Sequence, residues 1–198
     1  KIKFFKIQDI EVIEQAAIKD HEIKKRLQKK LTFIKNKNIF LLNKNLIIAE
    51  IKKNEWISNF SIKKKYPSKL IINFDKAYPI ANIVINDEIF FVGSNYKLIK
   101  SENLDKNLPN IFGRPKMESL SKFINQINLS NLNYEDIKNF YYLKSDRWNI
   151  KINNGILIKL PKEDNLKFLN LVKEILDNEN ILIKDTINLT IKDQAIIN

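Results

Sequence analysis

Residues 54–81, NEWISNFSIKKKYPSKLIINFDKAYPIA, constrain the fold of this chain more than any other stretch. Aromatic and β-branched residues recur on both sides of Tyr66-Pro67-Ser68; such residues favour strands, whereas Pro and Ser favour turns. The stretch therefore predicts two antiparallel strands joined at residues 66–68. Successive strand residues point to opposite faces, so the triplet Lys63, Lys64 and Lys65 does not form one continuous basic surface.

Upstream of this hairpin, the pattern predicts one strand and two helices. Residues 2–13 are rich in strand formers, and Asp20 and Asn43 are good N-caps, each followed by apolar residues at helical spacing. The inward-facing side chains expected in the two helices are Ile23, Leu27 and Leu31, then Leu46, Ile47 and Ile51. The order strand, helix, helix, strand, strand predicts a small α+β domain over residues 1–77, with both helices on one face of its sheet.

Residues 78–198 are predicted to form a second domain that is rich in strands. Asn86-Asp87 and Asn153-Asn154-Gly155 are strong hairpin turn signals, each between two apolar runs. Residues 107–115 contain Pro and Gly and are expected to form a loop. These signals favour short strands paired mostly with their neighbours in sequence.

Two helices and a closing strand complete the prediction for this second domain. Apolar residues at helical spacing predict one helix over residues 117–127 and a second helix that begins at Glu163 and Asp164. The two acidic side chains suit the positive N-terminal end of the second helix. The segment 181–197 predicts two strands, the second of them starting at Ile187. A terminal strand with an unpaired side is a template for a partner's strand.

The composition excludes many classes of enzyme. The chain has three widely separated Gly, no Cys and a single His, so it lacks a glycine-rich phosphate loop, a thiolate or poly-histidine metal site and a disulfide. His21 is expected to be a surface residue at a helix start, and the neighbours Glu163 and Asp164 point apart on a helix. The sequence therefore predicts no catalytic site, no cofactor and no metal.

The net charge of +12 is concentrated in the first part of the chain. Residues 1–80 hold 19 Lys or Arg against 8 Asp or Glu, whereas residues 81–198 hold 16 against 15. Nucleic-acid surfaces usually combine Arg with stacking aromatics, but only Arg26, Arg114 and Arg147 occur here. The abundance of Lys, Asn and Ile is also typical of an AT-rich genome, so the basic charge is either a polyanion-binding face or a product of base composition.

The order of several short motifs resembles the bacterial division proteins of the FtsQ/DivIB family. The resemblance lies in the first strand KIQDIEVI, the second helix near Asn43, the hairpin opened by EWI, the loop LPNIFG, the hairpin WNIKINNGILIKLP and the end INLTIKDQAII. The chain departs from the family pattern at residues 13–15, where a Gly is common. It also departs at Asn188, Thr190 and Gln194, where Asp, Arg and Gly are common.

This resemblance implies an α+β fold, with an N-terminal POTRA domain (β-α-α-β-β) followed by a mostly antiparallel β domain that has two main helices and a C-terminal edge strand. It also implies a non-enzymatic scaffold of the divisome that recruits FtsB and FtsL and helps to control septal peptidoglycan synthesis by FtsW and FtsI. The implied location is the inner membrane at the septum. A single transmembrane helix would lie upstream of Lys1, with the present residues in the periplasm.

The resemblance further implies binding by strand addition, in which a segment of FtsB pairs with a final strand over residues 187–197. Lys162 stands where the family often has an Arg that pairs with an acidic partner residue. The partner-binding residues implied by motif position are Lys162, Ile187, Leu189, Thr190, Ile191, Lys192, Ala195, Ile196 and Ile197. Other divisome proteins are candidate partners of the POTRA-like part.

Three other interpretations stay open at this point. The basic POTRA-like part is a candidate for contact with anionic lipid headgroups or with an acidic partner. A POTRA module of an outer-membrane assembly or secretion system is the main alternative, and it would predict tandem POTRA units or a barrel. A lysine-rich nucleic-acid binder is the third interpretation, although the scarcity of Arg predicts no nucleic-acid partner.

Overall fold

The computed structural model describes residues 5–15, 20–191 and 194–198. The four α-helices are α1 (His21–Lys30), α2 (Lys44–Lys52), α3 (Met117–Leu129) and α4 (Asn165–Asp177). The strands are β1 (Asp9–Glu14), β2 (Ile57–Lys65), β3 (Lys69–Lys76), β4 (Pro79–Ile85), β5 (Glu88–Gly93), β6 (Leu98–Ser101), β7 (Asn110–Phe112), β8 (Ile137–Tyr142), β9 (Trp148–Ile152), β10 (Leu157–Lys159), β11 (Thr186–Asn188) and β12 (Ile196–Ile197).

The chain divides into two compact units with separate hydrophobic cores. Unit 1 extends to Tyr78 and includes Gly93–Asn95; unit 2 comprises Pro79–Val92 and Tyr96–Asn198. This is the predicted α+β class, with helices and a small sheet in unit 1 and a strand-rich unit 2. No helix of the described residues is long and apolar enough to cross a lipid bilayer.

Unit 1 contains a three-stranded sheet in the order β1-β3-β2. Strand β3 pairs antiparallel with β2 and parallel with β1, which places it between the other two. Leu70, Ile72 and Phe74 of β3 are all buried, because one face of the strand carries the core of the unit. The predicted hairpin is confirmed, and its turn lies at residues 66–68, as the sequence indicates.

The two helices of unit 1 begin where the predicted caps place them. The Asp20 carboxylate accepts hydrogen bonds from the backbone N–H groups of Glu22 and Ile23, and Asn43 caps α2 in the same way. The prediction for one side chain of α2 is wrong. Leu46, expected to face inward, is 54% exposed, because one buried row of side chains attaches this short helix to the core.

Unit 2 contains a nine-stranded sheet in the order β12-β11-β10-β9-β8-β7-β4-β5-β6. Most strand pairs are antiparallel; the parallel ones are β4 with β7, β7 with β8, and β10 with β11. Both predicted tight turns are confirmed: Asn86 and Asp87 have positive φ between β4 and β5, and Gly155 (φ 97°) lies between β9 and β10.

The predicted loop over residues 107–115 is wrong in part, because it contains β7 near the middle of the sheet. Pro and Gly signals dominate this segment, and only three residues pair, with Ile111 buried between two neighbouring strands. Gly113 has a φ of 96°, and a Cβ atom placed there would lie 2.3 Å from the Tyr142 carbonyl oxygen. The glycine therefore permits a close backbone approach to the end of β8.

The core of unit 2 is built around stacked aromatic rings. Phe123 of α3 stacks on Trp148 of β9 with ring centres 4.8 Å apart, and Phe140 of β8 contacts both rings edge to face. All three side chains are almost fully buried. Helices α3 and α4 pack against each other, so the core face of the sheet is covered where these rings lie.

Candidate partner-binding edge

The C-terminal segment forms a short hairpin. Strand β11 pairs with β12 antiparallel, with Ile187 opposite Ile197 and Asn188 opposite Ile196. The prediction of one continuous strand over residues 187–197 is therefore wrong. The chain leaves β11 at Asn188, whose side-chain oxygen accepts from the N–H of Thr190 (3.1 Å) and from its hydroxyl (2.8 Å).

This side-chain turn has a clear physical cause. An Asn side chain can bond the backbone two residues ahead and so replace the ladder bond that would continue the strand. Farther along the chain, the N–H of Gln194 donates to the Ile191 carbonyl oxygen at 3.2 Å. Asn188 is thus the residue that redirects the chain, and the pattern Asn-x-Thr is the sequence signal for this turn.

Strand β12 lies at one end of the sheet and presents an open edge among the described strands. Asn198 and Thr186 exchange both backbone hydrogen bonds, at 3.0 and 3.3 Å, and Ile196 is paired with Asn188. In an antiparallel pair, the backbone groups of alternate residues point to opposite sides. The N–H and C=O of Ile197 therefore point away from β11, towards the open edge.

The expected partner-binding side chains fall into distinct environments. Ile187 and Leu189 are 0% and 1% exposed and belong to the core of unit 2. Ile197 is half-buried against the same core, whereas Ile196 is 38% exposed. The side chains of Ile187 and Leu189 therefore serve the fold and are not accessible to a partner.

The remaining expected residues lie beside the hairpin or outside it. Thr190 and Ile191 lie after β11, and Ile191 is 44% exposed. Ala195 is exposed directly before β12. Lys192 falls outside the described residues. The structure thus gathers Ala195, Ile196 and Ile197 along one edge.

Lys162 lies between β10 and α4, with its side chain 60% exposed. Its Nζ atom is 3.6 Å from Oδ2 of Asp146, and Oδ1 of Asp146 accepts a 2.7 Å hydrogen bond from the Tyr142 hydroxyl. The Tyr142 bond and then the Lys162 charge lower the pKa of Asp146, and the same bond raises the pKa of Tyr142. The sequence predicts a partner contact for Lys162, which stays a prediction, and gives no signal for its neighbour Asp146, a turn residue with a φ of 59°.

A shallow cleft of about 380 Å³ adjoins this pair. It is lined by α3, by the turn that carries Asp146 and by the start of α4, including Lys116, Lys122 and Lys162. Two of these lysines have carboxylate neighbours, because Lys122 lies 2.9 Å from Glu118 and Lys162 faces Asp146. The cleft is therefore a mixed-charge surface that suits an exposed polar contact.

The catalytic candidates of the sequence lie at the surface, and His21 lines a small pocket with Glu11, Glu14 and Asp20. His21 is the exposed first residue of α1. Glu163 and Asp164 are both exposed and precede α4, which begins at Asn165, two residues after Glu163, with no capping bond from the Asp164 side chain. Within the described residues, no group of three or more His, Cys, Asp or Glu could hold a metal ion.

Residues 5–74 match a family model described as the POTRA domain, FtsQ-type. The cell division protein FtsQ of Rickettsia bellii is 26% identical over 170 residues, which cover 84% of this chain and 62% of that protein. FtsQ of Rickettsia conorii is 25% identical over 191 residues, covering 91% and 68%. The cell division protein DivIB of Clostridium tetani is 32% identical over 110 residues, covering 54% and 39%.

A solved structure is also similar, the major extracytoplasmic domain of the trans isomer of the cell division protein DivIB from Geobacillus stearothermophilus. The TM-score is 0.36 at 16% identity, with 54% of this chain and 98% of that chain covered. The present chain spans about three fifths of the length of the Rickettsia bellii relative. Residues 5–74 thus match an FtsQ-type POTRA domain, and the chain is similar over most of its length to cell division proteins of the FtsQ/DivIB family.

Proposed function

We propose that this chain is the periplasmic part of a non-enzymatic divisome scaffold that binds FtsB, and with it FtsL, by strand addition at β12. The whole protein would cross the inner membrane once, through a helix upstream of these residues, and act at the septum. There it would help to control peptidoglycan synthesis by FtsW and FtsI. Similarity to cell division proteins supports this role over the outer-membrane and nucleic-acid alternatives.

The observation that carries the proposal is the open edge of β12. The outward N–H and C=O of Ile197 can exchange main-chain hydrogen bonds with an added strand, which sets its register without any sequence requirement. Each such bond contributes about 1 kcal/mol net in water. With so few paired residues, β12 needs further support, and a partner strand would supply it.

Side chains at this edge give the added strand its specificity. Ile187 and Ile197 lie directly opposite each other, so they share the core-facing side of the sheet, and Ile197 remains partly exposed. An apolar partner residue beside Ile197 would complete its burial. Ile196 points to the other face, where a second apolar partner residue would cover it.

Lys162 is a candidate for a charge contact with the same partner. It is mostly exposed, and its 3.6 Å contact with Asp146 is longer than an ordinary charge-assisted hydrogen bond, so its Nζ atom is available to an acidic partner residue. Such a rim contact would change the association rate and its salt dependence more than the affinity.

Residues 1–77 and 78–198 would act as separate domains in this function. The second would carry the FtsB edge, and the first, the POTRA domain, would contact other divisome proteins. The independent cores of units 1 and 2 support this division of labour.

The test is calorimetric titration of the chain with a peptide from the C-terminal periplasmic region of the same organism's FtsB. Ile197→Pro removes the outward N–H, and Pro is tolerated at an edge whose N–H faces solvent. Ile197→Val retains the N–H and most of the side chain, and is the matched control. Deletion from Ile187 is less informative, because it removes the buried Ile187 and Leu189 as well as the edge.

Strand addition predicts that Ile197→Pro weakens binding about fivefold or more while Ile197→Val stays within about threefold of the parent chain. Both variants should keep the parent circular dichroism spectrum. Equal affinity of the folded Pro variant and the parent would overturn the placement of the site at β12. No binding by the folded parent chain would overturn FtsB recognition itself.

A further inference from the structure

Three segments of unit 1 meet at one end of its sheet: residues 5–8, residues 36–41 and the turn at residues 66–68. The N–H of Ile39 donates to the Phe5 carbonyl oxygen at 2.8 Å, and the N–H of Gln8 donates to the Ser68 carbonyl oxygen at 2.9 Å. We call this end of unit 1 the hairpin tip. It joins parts of the chain that lie more than fifty residues apart in sequence.

The hairpin tip carries an exposed aromatic cluster. Phe40 stacks on Tyr66 with ring centres 4.7 Å apart and meets Phe5 edge to face at 4.9 Å. Phe5, Phe40 and Tyr66 are 39%, 54% and 53% exposed, and the neighbouring Leu41 is 83% exposed. Large apolar side chains that cluster on the surface mark a contact site more often than isolated ones do.

Positive charge surrounds this cluster. Residues 5–8, 33–42 and 60–68 contain six Lys and no Asp or Glu. Lys64 Nζ donates to the Phe40 carbonyl oxygen at 3.3 Å, and Lys37 Nζ lies 5.3 Å from the centre of the Phe33 ring. The acidic residues next along the chain, Asp9 and Glu11, are both paired with Lys69, at 3.3 and 2.8 Å. The hairpin tip is thus apolar at its centre and cationic around it.

We propose that the hairpin tip docks onto the surface of an anionic lipid bilayer. Phe and Leu side chains partition into the boundary between headgroups and acyl chains, Tyr prefers that boundary, and surrounding lysines are attracted to anionic headgroups. This inference goes beyond strand addition at β12, and it uses no residue of unit 2.

The same side chains suit nucleic acid poorly. Tyr66 already covers one face of the Phe40 ring, which limits stacking with a base. Leu41, the most exposed apolar side chain of the tip, has no stacking surface. The cations are lysines, which lack the planar fork that Arg uses to grip phosphates and bases.

The test is co-sedimentation of the chain with vesicles of phosphatidylcholine alone and of phosphatidylcholine mixed with phosphatidylglycerol. The double variant Phe40→Ser with Leu41→Ser removes the apolar centre without changing charge. Leu129→Ser with Leu182→Ser, at positions 74% and 81% exposed in unit 2, is the matched control. Lys37→Gln and the equally charged control Lys138→Gln test the role of charge.

Docking predicts binding only to the anionic vesicles, falling as salt rises from about 0.1 to 1 M. The tip double variant should lower the partition coefficient about tenfold or more, and Lys37→Gln about fivefold. Both controls should stay within about twofold of the parent. Thermal melting that matches the parent would show that the variants are folded.

Several outcomes would overturn the proposal: no binding to anionic vesicles, equal binding to both vesicle types, or an equal loss in the unit 2 controls. Fluorescence anisotropy with a duplex oligonucleotide tests one more outcome that would overturn the proposal. If the chain binds the duplex more tightly than the vesicles and the tip double variant abolishes that binding, the site is a nucleic-acid site. The FtsB titration is unaffected by any of these results.

Discussion

Two hairpins of this protein show how differently strand pairing can be supported. In β2–β3, nine- and eight-residue strands pair along almost their whole length, and β3 also pairs with β1. In β11–β12, three residues pair with two, and β12 has one neighbouring strand. The first hairpin is complete within unit 1, whereas the second leaves main-chain groups directed outwards.

The difference indicates where each unit keeps its stability and where it keeps its capacity to bind. Phe74 in β3 is 1% exposed, whereas Ile196 in β12 is 38% exposed. A long, covered strand gains its stability from core burial and has few groups left for a partner. A short edge strand contributes little to folding and leaves its backbone available.

The largest expected effect is at the centre of the long hairpin. Phe74→Ala should destabilise unit 1 by about 3 to 5 kcal/mol, because it leaves a cavity in the closely packed core to which Leu70 and Ile72 also belong. Chemical denaturation, with amide hydrogen exchange resolved along the chain, would measure the loss and assign it to unit 1. Tyr78→Ala, at a 66% exposed aromatic of the same unit, is the control. Similar costs for both variants would contradict the contrast between core and surface.

The next largest effect on stability is expected within unit 2, at two glycines that precede the C-terminal hairpin in sequence. Gly113 and Gly155 both have positive φ, but a Cβ at Gly113 meets the Tyr142 carbonyl oxygen at 2.3 Å and one at Gly155 meets nothing. Gly155→Ala should cost about 1 to 2 kcal/mol for the left-handed backbone alone. Gly113→Ala should cost about 1 to 3 kcal/mol more, because the β7 end must move away from β8.

Urea denaturation of the two glycine variants would measure this difference directly. Each variant serves as the control for the other, since the backbone penalty is common to both. Equal costs would show that the approach of Gly113 to Tyr142 relaxes without loss, and that the middle of the sheet is no more rigid than its turns.

A smaller effect of about 1 kcal/mol is expected at Asp20, which caps α1 and accepts a hydrogen bond from Lys76 of β3 at 2.8 Å. The Lys76 bond chiefly lowers the pKa of Asp20 below its usual value of 3.8. A carboxyl group with a lowered pKa in the folded state stabilises above its unfolded pKa. That contribution is lost as the pH falls through the folded value.

Two substitutions separate the cap from the ion pair. Asp20→Ala removes both, whereas Asp20→Asn retains the cap and removes the charge, at a cost of about 0.5 kcal/mol. Denaturation at neutral pH and again below pH 3.8 should show the Asn variant approaching the parent only at the lower pH. A constant difference at both pH values would mean that the pairing with Lys76 does not contribute.

The sequence predicts these regions unequally well, for reasons visible in individual residues. The long hairpin is encoded locally by alternating strand formers around a Pro turn, and both early helices are encoded by their caps, so their positions are confirmed. The sequence does not predict β7, because this strand pairs in parallel with strands distant in sequence and because adjacent Pro and Gly residues indicate a loop.

The candidate edge was predicted only in outline. The segment from Ile187 has strand-like alternation, but the Asn188 side chain accepts hydrogen bonds from Thr190 and ends the strand. The period of apolar residues does not reveal such competition between side-chain and strand hydrogen bonds. The aromatic cluster at the hairpin tip was not predicted, because Phe5, Phe40 and Tyr66 are far apart in sequence. Their association depends on the folded sheet.

The smallest expected effect on stability lies at the short hairpin, where the effect on binding should be largest. Ile196→Ala should change the free energy of unfolding by no more than about 0.5 kcal/mol, because the side chain is already well exposed at an edge. Ile187→Ala, directly opposite Ile197 and fully buried, should cost about 2 to 5 kcal/mol and is the contrasting control. If an added strand covers Ile196, titration with the FtsB peptide should nevertheless be weakened about fivefold by the Ala variant. If Ile196→Ala lowered the free energy of unfolding and left the peptide affinity unchanged, β12 would belong to the core of unit 2 and would not be its binding edge.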